Sequence, residues 1–379
     1  MYENPLVSVI CITYNHKKYI KQCIESLVNQ KTDFQFEVIV HDDASVDGTD
    51  EIISELQSRY PDILKSILQK ENQYSMGKCA TDIAVNAARG KYLAFCEGDD
   101  WWCNEYKLQE QADYMQTHKD CVLCFHNTYT YYVSTDTMDK EWFFWRNRQL
   151  KEDGFYNSHE LMELGVVPYS AQFFKKEDYV YRSEFKNNNK KYGDMLRTLC
   201  LASKGYAYCI NRHMSVYRRG VENSFFTNTY KNIEQYNNSV DTTINTYMAV
   251  MEYTRGKFNE FFAEKIAKAE SEKIHFCKEE VLSLKKSAKK IYIYGTGVYA
   301  QLCYHEMKNI DMEINGFVVS DTENNKEDYL GHRVYKLSEV KDSDMAIVIS
   351  VGSKARKIIE NNLADKQIRK YCYGCVENN

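Results

Sequence analysis

Three short stretches place carboxylates where they can do chemistry. HDD occupies residues 41–43, EGDD residues 97–100, and GDM residues 193–195. Glu97, Asp99 and Asp100 follow an apolar run, KYLAF, and two tryptophans come directly after them. Acids this close repel one another unless protons or a cation neutralise them. Hard oxygen ligands suit Mg2+ or Mn2+, and Mg2+ often takes only one or two carboxylates and leaves its other positions to phosphate oxygens. The pattern therefore points to a metal–diphosphate site. The competing reading of any one stretch is an acidic turn or a helix cap, with Asp99 or Asp100 capping the helix that follows. Recurrence at strand ends and at a helix start favours the site.

The elements needed to bring these acids together can be read in order. VSVICITY is a continuous apolar run, as expected of a buried parallel strand. YIKQCIESLVNQ has helical spacing, FEVIVHDD is a second strand, and VDGTDEIISELQSRY a second helix. KSILQK, ATDIAVNAARG, KYLAFCEGDD, NEYKLQEQADYMQTH and CVLCFHNTYTYYV continue the alternation, with Gly90 expected as a helix C-cap. VVPYSAQFFKK reads as a strand, and YAYCINRHMSVYRRG as a strand and a basic loop. Such βαβ alternation predicts a parallel sheet covered by helices, with ligands at the carboxyl ends of its strands. Asp43 and Asp99/Asp100 then converge although 56 residues separate Asp43 from Asp99.

The ordered set VSVICITYN, FEVIVHDDASVDGTDEI, AARGKYLAFCEGDDWW, YGDMLRTLCLASKG and SVYRRG resembles family 2 glycosyltransferases of the GT-A fold, across about residues 5–222. It is most similar to the bacterial branch that builds surface glycans. The resemblance implies roles. Tyr14 would line the nucleotide base, Asp43 would hydrogen-bond a uracil, and Lys78 would contact base or phosphate. Asp99 would lie by the ribose and sugar phosphate, and Asp100 would bind the divalent metal, Mn2+ or Mg2+. Asp194 would be the catalytic base of an inverting displacement from a nucleotide sugar, UDP-linked, onto a glycan or lipid-linked acceptor.

Departures from the family pattern carry their own expectations. Many relatives have a histidine after YR, where this chain has Arg218 and Arg219. An arginine cannot ligate a metal but can clamp a phosphate, so Arg219 is a candidate at the sugar or acceptor side. His213 is the nearby alternative, read more simply as structural or exposed. Glu97 either supports the site or merely lies beside it. Trp101 and Trp102 either stack on a sugar or pack the next helix, with Trp102 the preferred site wall. Trp142 and Trp145 face the acceptor in relatives, but their spacing fits the apolar face of a helix better.

The C-terminal part is a separate unit. KIYIYGTGVYAQLCYHEM reads as strand, glycine-rich turn and helix, and glycines there let a phosphate approach a helix N-terminus. Gly295 and Gly297 are the candidates, and Asp321 stands 26 residues after Gly295, near the spacing of a ribose-binding acid. The expected architecture is thus α/β: a GT-A-type doubly wound mixed sheet over residues 1–226, a helical connector over 227–288, and a small Rossmann-like domain over 289–379. That last domain also carries the alternative functions, an NAD(P)-dependent oxidoreductase or a nucleotide-sensing protein. The oxidoreductase needs a Tyr-x-x-x-Lys or histidine catalytic group near the cofactor, and no convincing one follows residue 290.

Composition bounds the partners. The 379 residues have a net charge of −5, which gives no global case for nucleic acid. No run of 18 apolar residues occurs, and MYENPLVSVI lacks the features of a signal peptide. The expectation is a cytoplasmic protein, at the inner membrane face if residues 227–288 form a peripheral membrane contact. A connector or homodimer interface is the simpler reading of that segment. Thirteen cysteines without an export signal read as free thiols rather than zinc or redox pairs, including the two CxxC spacings, Cys121/Cys124 and Cys372/Cys375.

Overall fold

A computed structural model describes residues 4–139, 150–151, 154–185, 193–221, 224, 228–322, 327–340 and 344–377. Trp142 and Trp145 lie outside the described residues. The chain divides into two compact units, residues 1–221 with 245–259, and residues 222–244 with 260–379. The expected connector does not stand apart, because its residues are shared between the two.

The first unit is built on one sheet. Its strands are β1 (Val7–Thr13), β2 (Phe36–Asp42), β3 (Leu64–Leu68), β4 (Tyr92–Glu97), β5 (Trp101–Trp102), β6 (Cys121–Tyr132), β7 (Thr137–Asp139), β8 (Phe155–Tyr156), β9 (Phe173–Lys175) and β10 (Tyr206–Arg219). Their order is β3-β2-β1-β4-β9-β6-β10-β5, with β7 on β6 and β8 on β10. The pairs β1/β2, β1/β4, β2/β3 and β6/β10 are parallel, whereas β9 runs antiparallel to β4 and β6. The sheet is therefore mixed, as expected.

Among the described residues, the helices lying wholly in this unit are α1 (Ile20–Val28), α2 (Thr49–Arg59), α3 (Ala80–Ala87), α4 (Lys107–Thr117), α5 (Ser158–Leu164) and α6 (Gly193–Ala202). The apolar stripe of α1, Ile20, Cys23, Ile24, Leu27 and Val28, is buried against Val7, Val9 and Cys11 of β1 in one core cluster. α2 starts with Asp50 and Glu51 in its first turn, where acids complement the helix dipole.

Three local expectations change. Ala88, not Gly90, caps α3. Gly90 is needed instead for a close approach, since a Cβ there would lie 2.4 Å from the Ser8 backbone nitrogen. The segment VVPYSAQFFKK is not one strand: the Pro168 bend leads into a single 3-10 turn, Tyr169–Ala171, before the short β9. The basic end of SVYRRG is not loop, because β10 continues through Arg219 and pairs with β6 as far as Tyr132.

The second unit has a parallel sheet of Lys290–Tyr294, Gly316–Val319, His332–Lys336, Met345–Ile349 and Tyr371–Tyr373, with a short antiparallel edge, Asp328–Tyr329. Helices Val298–Asn309 and Ser353–Asp365 follow the first and fourth of these parallel strands. All thirteen cysteines are free thiols, and Cys121, Cys124 and Cys375 are buried. No described helix is long and apolar enough to cross a membrane.

Candidate active site

The carboxyl ends of β1, β2 and β4 meet at one edge. Ile12 pairs with Glu97 and with His41 in the sheet. Beyond the strands, Thr13 O accepts the Asp43 N–H (3.0 Å) and Ile12 O accepts the Gly98 N–H (2.9 Å). Gly98 has a steric reason, since a Cβ there would fall 2.4 Å from Thr13 Oγ1. The glycine lets the acid loop close over the end of β1. His16 bridges the two parts: its Nδ1 lies 3.1 Å from Thr13 Oγ1, and its Nε2 lies 3.8 Å from Asp99 Oδ2.

The loops after β1 and β2 are stitched together. Asn15 has φ 57° and donates its N–H to Ser45 Oγ (2.8 Å), while its Oδ1 accepts from the Val46 N–H (2.9 Å). Tyr14, on this fixed turn, is exposed. Asp43 is buried, and its two oxygens accept from the backbone N–H groups of Gln73 (2.7 Å) and Tyr74 (3.0 Å). Lys78 Nζ donates to Gln73 Oε1 (2.9 Å). Asp43 and Lys78 are thus joined through Gln73, and Asp43 fixes the loop that carries the lysine. Each Asp43 oxygen keeps a second acceptor site.

Asp100 is the most enclosed acid of the EGDD loop, at 1% exposure. Its Oδ1 accepts the Arg218 backbone N–H at 2.9 Å. Burial first, then the charges of Asp99 and Glu97, push its carboxyl well above the usual carboxylate range, against the pull of Arg218. Burial, then Asp99 and Asp194, raise Glu97 to about 8, and Arg197 opposes them. Glu97 is therefore part of the acid cluster and feels Asp194 directly. Asp194 sits in the first turn of α6, half-buried, with its Oδ1 accepting from the Met195 N–H (2.8 Å).

This cluster fits a divalent cation. It concentrates hard oxygen donors, and burial together with the charges of Asp99 and Glu97 pushes the Asp100 carboxyl upward, the direction a cation would reverse. Among the described residues no group of three or more His, Cys, Asp or Glu side chains forms a metal cage. A cation on Asp100 would therefore complete its shell with diphosphate and water oxygens.

The two arginines divide their work. Arg218 is 5% exposed, and its guanidinium lies between the rings of Tyr19 (4.6 Å) and Trp101 (4.2 Å). It donates to the Asp99 carbonyl and to Gln22 Oε1. Arg219 points the other way, over the Tyr132 ring at 5.8 Å, because neighbouring residues of a strand alternate faces. Arg218 holds the acid loop, and Arg219, the candidate for the sugar or acceptor side, lies over Tyr132. The signal was available in the period-2 alternation of YRR, once that segment is taken as strand rather than loop. His213 stacks on Tyr129 with ring centroids 4.2 Å apart and pairs with Asn127 in the sheet, away from the Arg218–Asp100 end.

Trp102 is corrected by the same alternation. It is 4% exposed and belongs to the core cluster with Leu108 and Ala112 of α4, with the Lys107 ammonium 3.8 Å from its ring centre. It packs the following helix. Trp101 faces Arg218 and Tyr131 instead. Sequence reasoning also missed Arg197, which lies 4.7 Å from the centre of the Phe95 ring, donates to Gln172 Oε1 (2.6 Å) and offsets the charge at Glu97.

In the second unit, Gly295 has φ 110°, a region that favours glycine, and Gly297 precedes the helix Val298–Asn309. Asp321 is exposed, accepts from the Ser338 N–H (2.8 Å) and lies 3.3 Å from Lys366 Nζ.

Residues 8–176 match the model of Glycosyl transferase family 2. The uncharacterised protein Mb1547 of Mycobacterium bovis is 42% identical over 122 residues, 32% of this chain and 34% of that protein. WfaP of Escherichia coli, a UDP-Glc:alpha-D-GlcNAc-diphosphoundecaprenol beta-1,3-glucosyltransferase, is 33% identical over 132 residues, 35% of this chain and 48% of that protein. The chain thus spans between a third and a half of the length of these relatives. Staphylococcus aureus TarS 1-349, solved in complex with UDP-GlcNAc, superposes with a TM-score of 0.47 at 19% identity, over 64% of this chain and 66% of that one.

Proposed function

We propose, from the family 2 glycosyltransferase domain that residues 8–176 form, that the protein is an inverting, metal-assisted glycosyltransferase. It moves a sugar from a UDP-linked donor to a hydroxyl of a glycan or lipid-linked acceptor in surface polysaccharide synthesis. The observation that carries this reading is the convergence of Asp99, Asp100, Glu97 and Asp194, in which burial and neighbouring acids push the Glu97 and Asp100 carboxyls upward. WfaP, named for transfer from UDP-glucose to a diphosphoundecaprenol-linked sugar, supports the donor and acceptor classes.

The chemistry follows from the positions of the groups. Tyr14 and the Asp43–Gln73–Lys78 loop hold the nucleotide side, and Asp99 lies toward the ribose and sugar phosphate. The acceptor hydroxyl attacks the anomeric carbon as Asp194 takes its proton, a general-base role. The new carbon–oxygen bond forms as the bond to the diphosphate oxygen breaks, and the electron pair leaves with UDP. Asp100 would hold a divalent ion, Mg2+ or Mn2+, and such an ion would supply Lewis-acid stabilisation of that leaving charge. Arg218 fixes the backbone of the acid loop while this happens.

A panel of nucleotide sugars, assayed for hydrolysis and transfer, tests the reading. Turnover of one UDP-sugar is expected. Asp194→Asn should keep UDP binding and lower turnover by roughly 10²–10⁴-fold. Unchanged turnover in that variant would remove Asp194 from the mechanism.

A further inference from the structure

Beside the acid cluster lies a cavity of about 290 Å³, lined by Gly77, Lys78, Cys79, Asp82, Asn86 and Arg182 among others. Its charges are unevenly satisfied. Asp82 has a partner on each oxygen, with Oδ1 accepting from the Tyr179 hydroxyl (2.5 Å) and Oδ2 from the Arg182 backbone N–H (3.0 Å). Among the described residues, the Lys78 ammonium has only the neutral Gln73 amide oxygen as a hydrogen-bond partner. Among the described residues, no carboxylate forms an ion pair with the guanidinium of Arg182. The seven residues joining Phe185 to Gly193 contain three lysines and no acid, so the sequence there offers Arg182 no counter-charge.

The placement of Arg182 is specific. Its Nη2 lies 2.8 Å from where a Cβ on Gly193 would stand, so the glycine leaves room for the guanidinium. Gly193 directly precedes Asp194. Lys78 and Arg182 line the cavity, and the Arg182 guanidinium stands against the backbone of the residue preceding Asp194. Its far side is tied to the acid cluster, with Thr81 Oγ1 3.2 Å from the Tyr169 hydroxyl and the Tyr169 ring 5.2 Å from the Arg197 guanidinium. A half-buried guanidinium without a carboxylate is suited to bidentate recognition of a carboxylate or phosphate. The Asn86 amide and Ser183 hydroxyl are groups that bond sugar hydroxyls.

We propose that this cavity is a subsite for a negatively charged sugar substrate, with Arg182 reading a carboxylate or phosphate group beside the base. The inference rests on the transferase reading and deepens it by naming the substrate class. The charge has two possible sources: an acidic sugar on the donor, or a phosphate linked to the acceptor sugar.

Calorimetric titration of the full chain with Mn2+ separates these sources. One pair of ligands is UDP-glucuronate and UDP-glucose, which differ in charge at C6. The other, added to protein saturated with UDP, is a short prenyl-diphosphate-linked N-acetylglucosamine and neutral octyl N-acetylglucosaminide. The charged member of one pair should bind at least about tenfold more tightly than the neutral one. Arg182→Gln should erase that preference, and Arg182→Lys should restore part of it. The pair that responds identifies donor or acceptor. UDP itself should bind equally to wild type and Arg182→Gln. Absence of any charge preference, its persistence in Arg182→Gln, or loss of UDP binding in that variant alone would overturn the subsite. Failure of the wild type to bind UDP would instead overturn the transferase reading and this inference with it.

Discussion

At the scale of single residues, the acid cluster is held by a cation that does not share its charge through an ion pair. Arg218 reaches the loop through backbone groups, giving its own N–H to Asp100 Oδ1 and its guanidinium to the Asp99 carbonyl. The carboxylate oxygens stay available for other partners. Arg218→Gln should therefore lower Mn2+-dependent UDP affinity by about tenfold, the equivalent of one charge-assisted hydrogen bond. Arg219→Gln, read by the same titration, should change it little. Trp102 gives a second expectation. Because it fills the core under α4, Trp102→Ala should cost roughly 3–5 kcal/mol in denaturant unfolding and leave UDP-sugar affinity of the folded protein unchanged. A large affinity loss at full stability would return Trp102 to the sugar site. Sequence alone could not choose between the two tryptophans or the two arginines. The choice depends on strand parity, and parity is set by pairing such as Ser215 with Trp102 and Val216 with Trp101.

At the scale of elements, β1, β2, β3, β4 and β6 were legible because apolar runs bounded by turn residues leave little ambiguity. β9 was not: three residues following a 3-10 turn carry no periodicity of their own. The loop starting at Gly90 shows what packing adds. Glu37, 1% exposed on β2, accepts from Ser8 Oγ (2.7 Å), Arg89 N–H (2.8 Å), Arg89 Nη2 (2.8 Å) and Lys65 Nζ (3.1 Å). Burial alone would raise its pKa, but Arg89, Ser8 and Lys65 outweigh it and hold it below its ordinary value. A carboxyl lowered on folding adds stability above its unfolded pKa, near 4.5, and loses that stability as pH falls through its lower folded value. Arg89→Ala should cost about 2 kcal/mol at pH 7, less than a fully buried pair because Arg89 is half-exposed and Lys65 and Ser8 remain. In acid-unfolding curves the penalty should shrink once Glu37 is protonated. A penalty independent of pH would mean that Arg89 acts through packing alone.

At the scale of the whole chain, two domains and a helical connector between them were expected, and the chain divides into two compact units that share the connector segment. Residues 227–288 read as a long helical connector because helical patterning there is unbroken by glycine–proline punctuation. Membership of a unit is decided by long-range packing, which places residues 245–259 with the first unit and 260–288 with the second. The chemistry-bearing acids of the first unit were legible since each follows a strand or opens a helix in the sequence itself. Arg197 and Arg182 were not, because their meaning comes only from what folding brings beside them: Glu97 in one case, Gly193 in the other. In the second unit the glycine-rich turn forms as expected, yet Asp321 is already occupied by Lys366 and the Ser338 N–H. The functional weight therefore falls on the first unit, and nucleotide binding should depend on its acids. Titrating the full chain with UDP, with and without Mn2+, and separately with NAD, tests this most directly. UDP binding that requires Mn2+ and is lost in Asp100→Ala is the predicted result. Binding of NAD alone, or Mn2+-dependent UDP binding that survives Asp100→Ala, would contradict it.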